Sequence, residues 1–175
     1  MNIEPTMKSP EAQARRDAKA TAFRALVRGY RARAKDHPPT PANILDCLSR
    51  ARLCAKEAVS SRLSREVLLR EAPGTEVPAE LSDGAIAEQL VDAASLLETA
   101  SRDYVVLGDL PRAYKYLRRA ARLAGEAAQL KNPSDEKLIA RADDLRQRAA
   151  AIRQACARHD IFRKRWSLGL LGRRR

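Results

Sequence analysis

The sequence predicts an all-α fold, and three observations carry that expectation. Ala and Leu dominate the apolar residues, with 32 Ala and 21 Leu against seven aromatics, a composition that favours helix and is poor sheet material. Apolar residues recur at helical spacing in five separate stretches. Proline, glycine and capping residues punctuate those stretches where helices ought to begin and end. The expected architecture is an Ala/Leu-rich antiparallel bundle of about five helices, forming one domain over residues 1–162 behind a flexible lead-in of residues 1–9. A basic C-terminal tail of residues 163–175 follows it.

The first helix is expected from about Pro10 to Asp36, with Phe23, Leu26, Val27, Tyr30 and Ala34 on its stripe. His37-Pro38-Pro39 ends it, because a residue before proline is pushed out of the helical region. Thr40 then caps a second helix, with Pro41 at the first helical position where its missing N–H costs nothing. Ile44, Leu48, Ala51, Ala55, Val59 and Leu63 form one stripe there. Cys47, Cys54, Ala58 and Leu68 widen it, so this helix is expected to be central and contacted from two sides. Pro73-Gly74 stops it, and residues 72–82 read as an acidic loop.

Ser82 caps the third helix, whose stripe is Ile86, Leu90, Ala93, Leu97, Ala100, Tyr104 and Leu107; Glu88, Asp92 and Asp103 lie away from it. Gly108-Asp109 breaks it, and Pro111 suits the first turn of a fourth helix running to about Leu130. Asn132-Pro133 ends that helix, and Ser134 is the expected cap of a fifth, which holds its stripe to about Phe162. At about 100° per residue, Arg112, Lys115, Arg118, Arg119 and Arg122 share one side of the fourth helix, with Tyr116 beside them and Ala113, Leu117, Ala120 and Ala124 opposite.

Leu97, Ala100, Tyr104, the Gly108-Asp109-Leu110 turn, then Ala113, Leu117 and Ala120 together resemble a single tetratricopeptide unit over residues 94–127. The resemblance implies a helical-hairpin packing unit and, by analogy, a groove for a peptide or protein. No second copy is found one repeat length upstream or downstream, whereas such units ordinarily stack on neighbours of their own kind.

The net charge of +12 is concentrated at the two ends: +5 on residues 1–40 and +6 on residues 158–175, around a nearly neutral middle. Basic arms on a neutral helical body are a pattern of polyanion binders. Of the 34 basic residues 26 are Arg, whose planar fork suits phosphate. In the tail Arg163, Lys164, Arg165, Arg173, Arg174 and Arg175 are placed to neutralise phosphates, and Trp166 to stack on a base. Contact of Trp166, Leu168, Leu170 and Leu171 with an anionic membrane surface is a second reading of the same segment. Glu71, Glu76, Glu80 and Asp83 are placed to hold an arginine arm in the absence of ligand.

Chemistry is sparse. The two histidines, His37 and His159, lack an oriented nucleophile and an oxyanion site nearby. Cys47 and Cys54 stand seven residues apart on one helix, about 10.5 Å of rise, too far to share a zinc ion. No phosphate-binding loop, dinucleotide fingerprint or HExxH is present. Neither cofactor nor metal is expected, and no enzymatic activity. No apolar run is long enough to span a membrane, and three cysteines make no closed disulfide framework, which favours a reducing, cytoplasmic setting. The function expected is non-sequence-specific binding of nucleic acid through the basic ends and the face of Arg112, Lys115, Arg119 and Arg122. The partner expected is nucleic acid or an acidic protein surface; the alternative function is an interaction adaptor or assembly subunit that uses the hairpin, with its tails ordered only in a complex.

Overall fold

A computed structural model describes residues 9–131 and 135–171, with residues 16, 131 and 158–171 described by their backbone alone. Five helices follow one another: α1 (Pro10–Ala34), α2 (Pro41–Glu71), α3 (Asp83–Val106), α4 (Leu110–Lys131) and α5 (Glu136–Leu171). Local chemistry sets most of their ends. Thr40 accepts the Asn43 N–H at 3.2 Å to begin α2, and Ser82 accepts the Ala85 N–H at 3.1 Å to begin α3, each satisfying a donor that the first turn leaves unpaired. Gly108, at φ +81°, closes α3: its N–H bonds the Val105 carbonyl while the Asp109 N–H bonds that of Tyr104. This paired arrangement needs a left-handed residue, and glycine adopts it without steric cost. The Asp109 carboxylate then accepts the Arg112 N–H at 3.1 Å, so one short turn ends α3 and starts α4.

Two ends differ from the sequence expectation. The cap of α5 is Asp135, which accepts the Leu138 N–H at 3.2 Å; the expected cap, Ser134, lies outside the described residues. The helix also runs on to Leu171 instead of ending near Phe162. Arg163 to Leu171 contains no proline and only one glycine, and leucine and arginine sustain a helix well. The expected acidic loop contains a 3₁₀ turn, Ala79–Leu81. One of its acids, Asp83, is occupied by the body of the protein, because Arg65 of α2 reaches it at 2.8 Å.

The central helix is α3, not α2. It packs on α1, α2 and α4, and its most extensive contact is with α4. Small side chains let that pair approach closely: Ala93, Ala94, Ala100, Ala113, Ala120 and Ala124 are all buried, around Leu97 and Leu117. Ser101 is buried with them and donates to the Ala113 carbonyl at 2.7 Å, a polar tie across the seam. Among the described residues α2 packs only on α3 and the 3₁₀ turn. Ile44, Ala51 and Ala58, seven residues apart, make its one narrow buried seam, while Val59 and Leu63 of the expected stripe stand 56% and 57% exposed. Asp103 was expected on the solvent side of α3 but is 7% exposed; it accepts from Arg102 at 3.3 Å, and it faces the α2 flank near Cys47.

α5 packs on α4 and α1. A polar clamp fixes it in place. Arg148 donates to Glu98 of α3 at 2.7 Å, to the Tyr30 hydroxyl of α1 at 3.0 Å, and pairs with Asp144 at 2.8 Å. Arg141 adds a second bond to Glu98 at 3.3 Å and one to Ser95 at 2.9 Å. Burial works against the Arg148 charge, but Tyr30, Glu98 and Asp144 outweigh it and hold its pKa above the usual value.

Burial pushes the Tyr30 hydroxyl and the Cys47 thiol above their ordinary values of 10.0 and 9.0. Both groups become anions on losing a proton, so their raised folded-state pKa means that the unfolded chain releases protons first as pH rises. Their contribution to stability is complete below about pH 8 and is lost above it, first from Cys47 and then from Tyr30. The thermal midpoint is therefore expected to fall as pH rises above about 8, and Tyr30→Phe to flatten the upper part of that fall. An alkaline limb identical in Tyr30→Phe and the parent chain would refute this assignment.

Candidate polyanion-binding groove

α4 has three sides in use. One side is buried on α3, a second on α5, and the third carries cations at positions 112, 115, 118, 119 and 122. α5 contributes a buried seam of Ala142, Leu145, Ala149 and Ile152. Arg146, Ala150 and Arg153 lie one residue along from that seam. Where these two surfaces meet they leave a groove of about 840 Å³. Lys115, Arg118, Arg119 and Arg122 line it from α4, Arg146 and Arg153 from α5, with Ala121, Ala149, Ala150 and Tyr114 between them.

Six cations thus face one concavity without a carboxylate in its lining. Only two of the six are paired among the described residues. Arg122 meets Glu126 at 3.4 Å, one turn along α4, and Arg146 meets Asp143 on α5. Both pairs are exposed and contribute little stability, so neither carboxylate firmly occupies its arginine. Lys115 also stands 5.7 Å from the Tyr116 ring. Just beyond the groove's lining, Gly125 makes room for Arg146: a Cβ there would stand 3.0 Å from its Nη2.

Of the site residues expected from sequence, the structure gathers Lys115, Arg119 and Arg122 into this groove and leaves Arg112 out of its lining. Arg112 pairs with Asp109 at 3.2 Å and lies over the Tyr104 ring at 5.7 Å, held at the hairpin turn. Tyr116, expected beside the cations, stacks on Tyr104 with ring centroids 5.6 Å apart; the aromatic in the groove is Tyr114. Sequence reasoning missed Tyr114, Arg146 and Arg153. Arg163, Lys164, Arg165 and Trp166 fall on the last turns of α5, where only the backbone is described, and Arg173, Arg174 and Arg175 lie outside the described residues.

Among the described residues no three His, Cys, Asp or Glu side chains converge on a point that would hold a metal ion, and no helix is long and apolar enough to cross a membrane. Compared with protein families, curated proteins and solved structures, the chain has no match in any of the three. The reading of the groove therefore rests on its own chemistry.

Proposed function

We propose that this protein is a non-enzymatic binder of polyanions, nucleic acid foremost, that takes the phosphate backbone into the groove between α4 and α5. The observation that carries this reading is the convergence of Lys115, Arg118, Arg119, Arg122, Arg146 and Arg153 from two helices on one concavity. Like charges held together in a rigid trough are costly unless an anion neutralises them, and five of the six are arginines, suited to bidentate contact with phosphate. The basic segment Arg163, Lys164, Arg165 continues the helix that supplies Arg153, about 15 Å further along. It extends the cationic track in this proposal, with Trp166 as an aromatic partner and Arg173 to Arg175 adding charge. No base-edge reader is apparent in this set, so the binding proposed is indifferent to sequence.

The test is a fluorescence titration with a generic oligonucleotide at about 50 mM and about 200 mM salt. Binding that weakens by about fifty-fold or more over that interval is expected from four or more phosphate contacts, at a slope of about 0.7 per contact for a single strand. No binding at about 50 mM salt would overturn the proposal.

One observation favours a second reading, an interaction or assembly role. Among the described residues eight large apolar side chains stand exposed, and six of them, Leu45, Leu53, Val59, Leu63, Val67 and Leu69, belong to α2. Exposed apolar surface gathered on one element is a mark of partner contact. In this reading the partner lies on α2, with the tetratricopeptide-like hairpin as the scaffold behind it.

A further inference from the structure

We propose that the ligand of the groove is single-stranded, with an unpaired base seated against Tyr114 and the alanine floor. This rests on the polyanion reading above and narrows it to a substrate class. The argument starts from what lies between the cations. A site built only for phosphate needs charge and donors, yet between the cations here lie a half-buried tyrosine, Tyr114, and the exposed Ala150, over the buried Ala121 and Ala149. Small apolar side chains and an aromatic ring offer nothing to a phosphate. They suit a flat, weakly polar group that leaves water when it binds, and base–aromatic stacking is tolerant of sequence because every base has a π-face.

The order along the groove fits a nucleotide chain. Tyr114, Arg118 and Ala121 succeed one another along one line of α4, a run of about 10 Å. Arg146 reaches across to Gly125, just past that run, and Arg153, seven residues along antiparallel α5, serves the Tyr114 end. A strand lying in the trough meets cations on both rims and a stacking platform at one end. A duplex does not fit this arrangement. Helices in contact lie about 8–10 Å apart, so the trough between them is far narrower than a double helix, and paired bases are shielded from its floor. Duplex phosphates would touch the rims and leave Tyr114 and Ala150 uncovered.

The experiment compares four probes on the full chain at about 50 mM salt: a single strand of about 12 nucleotides, the same sequence as duplex, inorganic polyphosphate, and a nucleoside triphosphate. The single strand is expected to bind about tenfold or more tightly than the duplex. Tyr114→Leu is expected to lower single-strand affinity by about 5- to 100-fold while leaving polyphosphate affinity unchanged, and Tyr114→Phe, which keeps the ring, to restore single-strand binding. Circular dichroism of each variant confirms the fold. Equal affinity for duplex, equal losses of strand and polyphosphate in Tyr114→Leu, or a triphosphate that binds as tightly as the strand would each overturn the inference. Polyphosphate binding without any preference for the single strand sinks this inference alone, whereas failure of strand and polyphosphate alike sinks the polyanion reading beneath it.

Discussion

Leu117→Ala is expected to destabilise the protein by about 3–5 kcal/mol, a large share of the roughly 5–15 kcal/mol that holds a domain of this kind together. Leu117 is 0% exposed in the seam between α3 and α4, the most extensive helix contact among the described residues. The cost should fall in the upper part of the range for such truncations because of the neighbours. Ala113, Ala120, Ala121 and Ala124 line the same helix, and Ala93, Ala94 and Ala100 the facing one. Alanine has no side-chain rotamer with which to fill a void, so collapse into the cavity requires the helices themselves to move, and close-packed interiors resist that. Leu97→Ala, at 3% exposure on the opposite helix, should behave alike. Leu63→Ala, 57% exposed on α2, should change stability by no more than about 0.5 kcal/mol. Chemical denaturation of the three variants checks the assignment. A Leu63 variant as damaged as Leu117, or a Leu117 variant with an unmoved midpoint, would mean that the core runs through α2 after all.

The contrast between Leu63 and Leu117 also marks where sequence reading reaches its limit. Helix ends are written in local chemistry, in Thr40-Pro41, Ser82, and Gly108-Asp109, because a cap or a break involves residues within a turn of one another. The choice of packing partner is not local. α2 has apolar residues on nearly every side, so its pattern alone is compatible with a helix contacted from two directions. Only the docking of α3 shows that Ile44, Ala51 and Ala58 face inward and Val59 and Leu63 do not.

The same distinction divides the groove. Its α4 rim was legible because Lys115, Arg119 and Arg122 share a side of one helix, a matter of 3.6-residue periodicity. The cation side of α4 has two flanks, with Tyr114 on one and Tyr116 on the other. α3 took the Tyr116 flank, where that ring stacks on Tyr104, and α5 took the Tyr114 flank. Nothing within α4 decides which neighbour lies on which side. Arg146 and Arg153 were hidden for a related reason, since α5 is rich in arginine and several turn elsewhere: Arg141 and Arg148 go to Glu98. The available signal was Ala149-Ala150 framed by Arg146 and Arg153, small residues on the edge of a buried seam with a cation a turn to either side.

Replacing Arg118, Arg119 and Arg153 together by glutamine is expected to weaken oligonucleotide binding by about 10²–10³-fold at about 50 mM salt. These three are chosen because no carboxylate pairs with them among the described residues, so their removal strands no acid and leaves the clamp at Arg148 untouched. The magnitude follows from counterion release. Each phosphate contact to a single strand contributes about 0.7 to the slope of log K against log salt, so three contacts contribute about 2. At about 50 mM salt that slope corresponds to between two and three powers of ten in affinity. The slope itself should fall by the same amount, and this separates the groove from the tail. If the basic segment from Arg163 to Arg175 carried the affinity alone, the triple variant would keep both its affinity and its slope, and deletion of residues 163–175 would abolish them. If groove and segment form one track, each change should remove part of the slope, and the two losses should add. A triple variant with parent-like affinity and slope, and an unaltered helical spectrum, would show that the convergence of six cations on the α4–α5 groove is not a binding site.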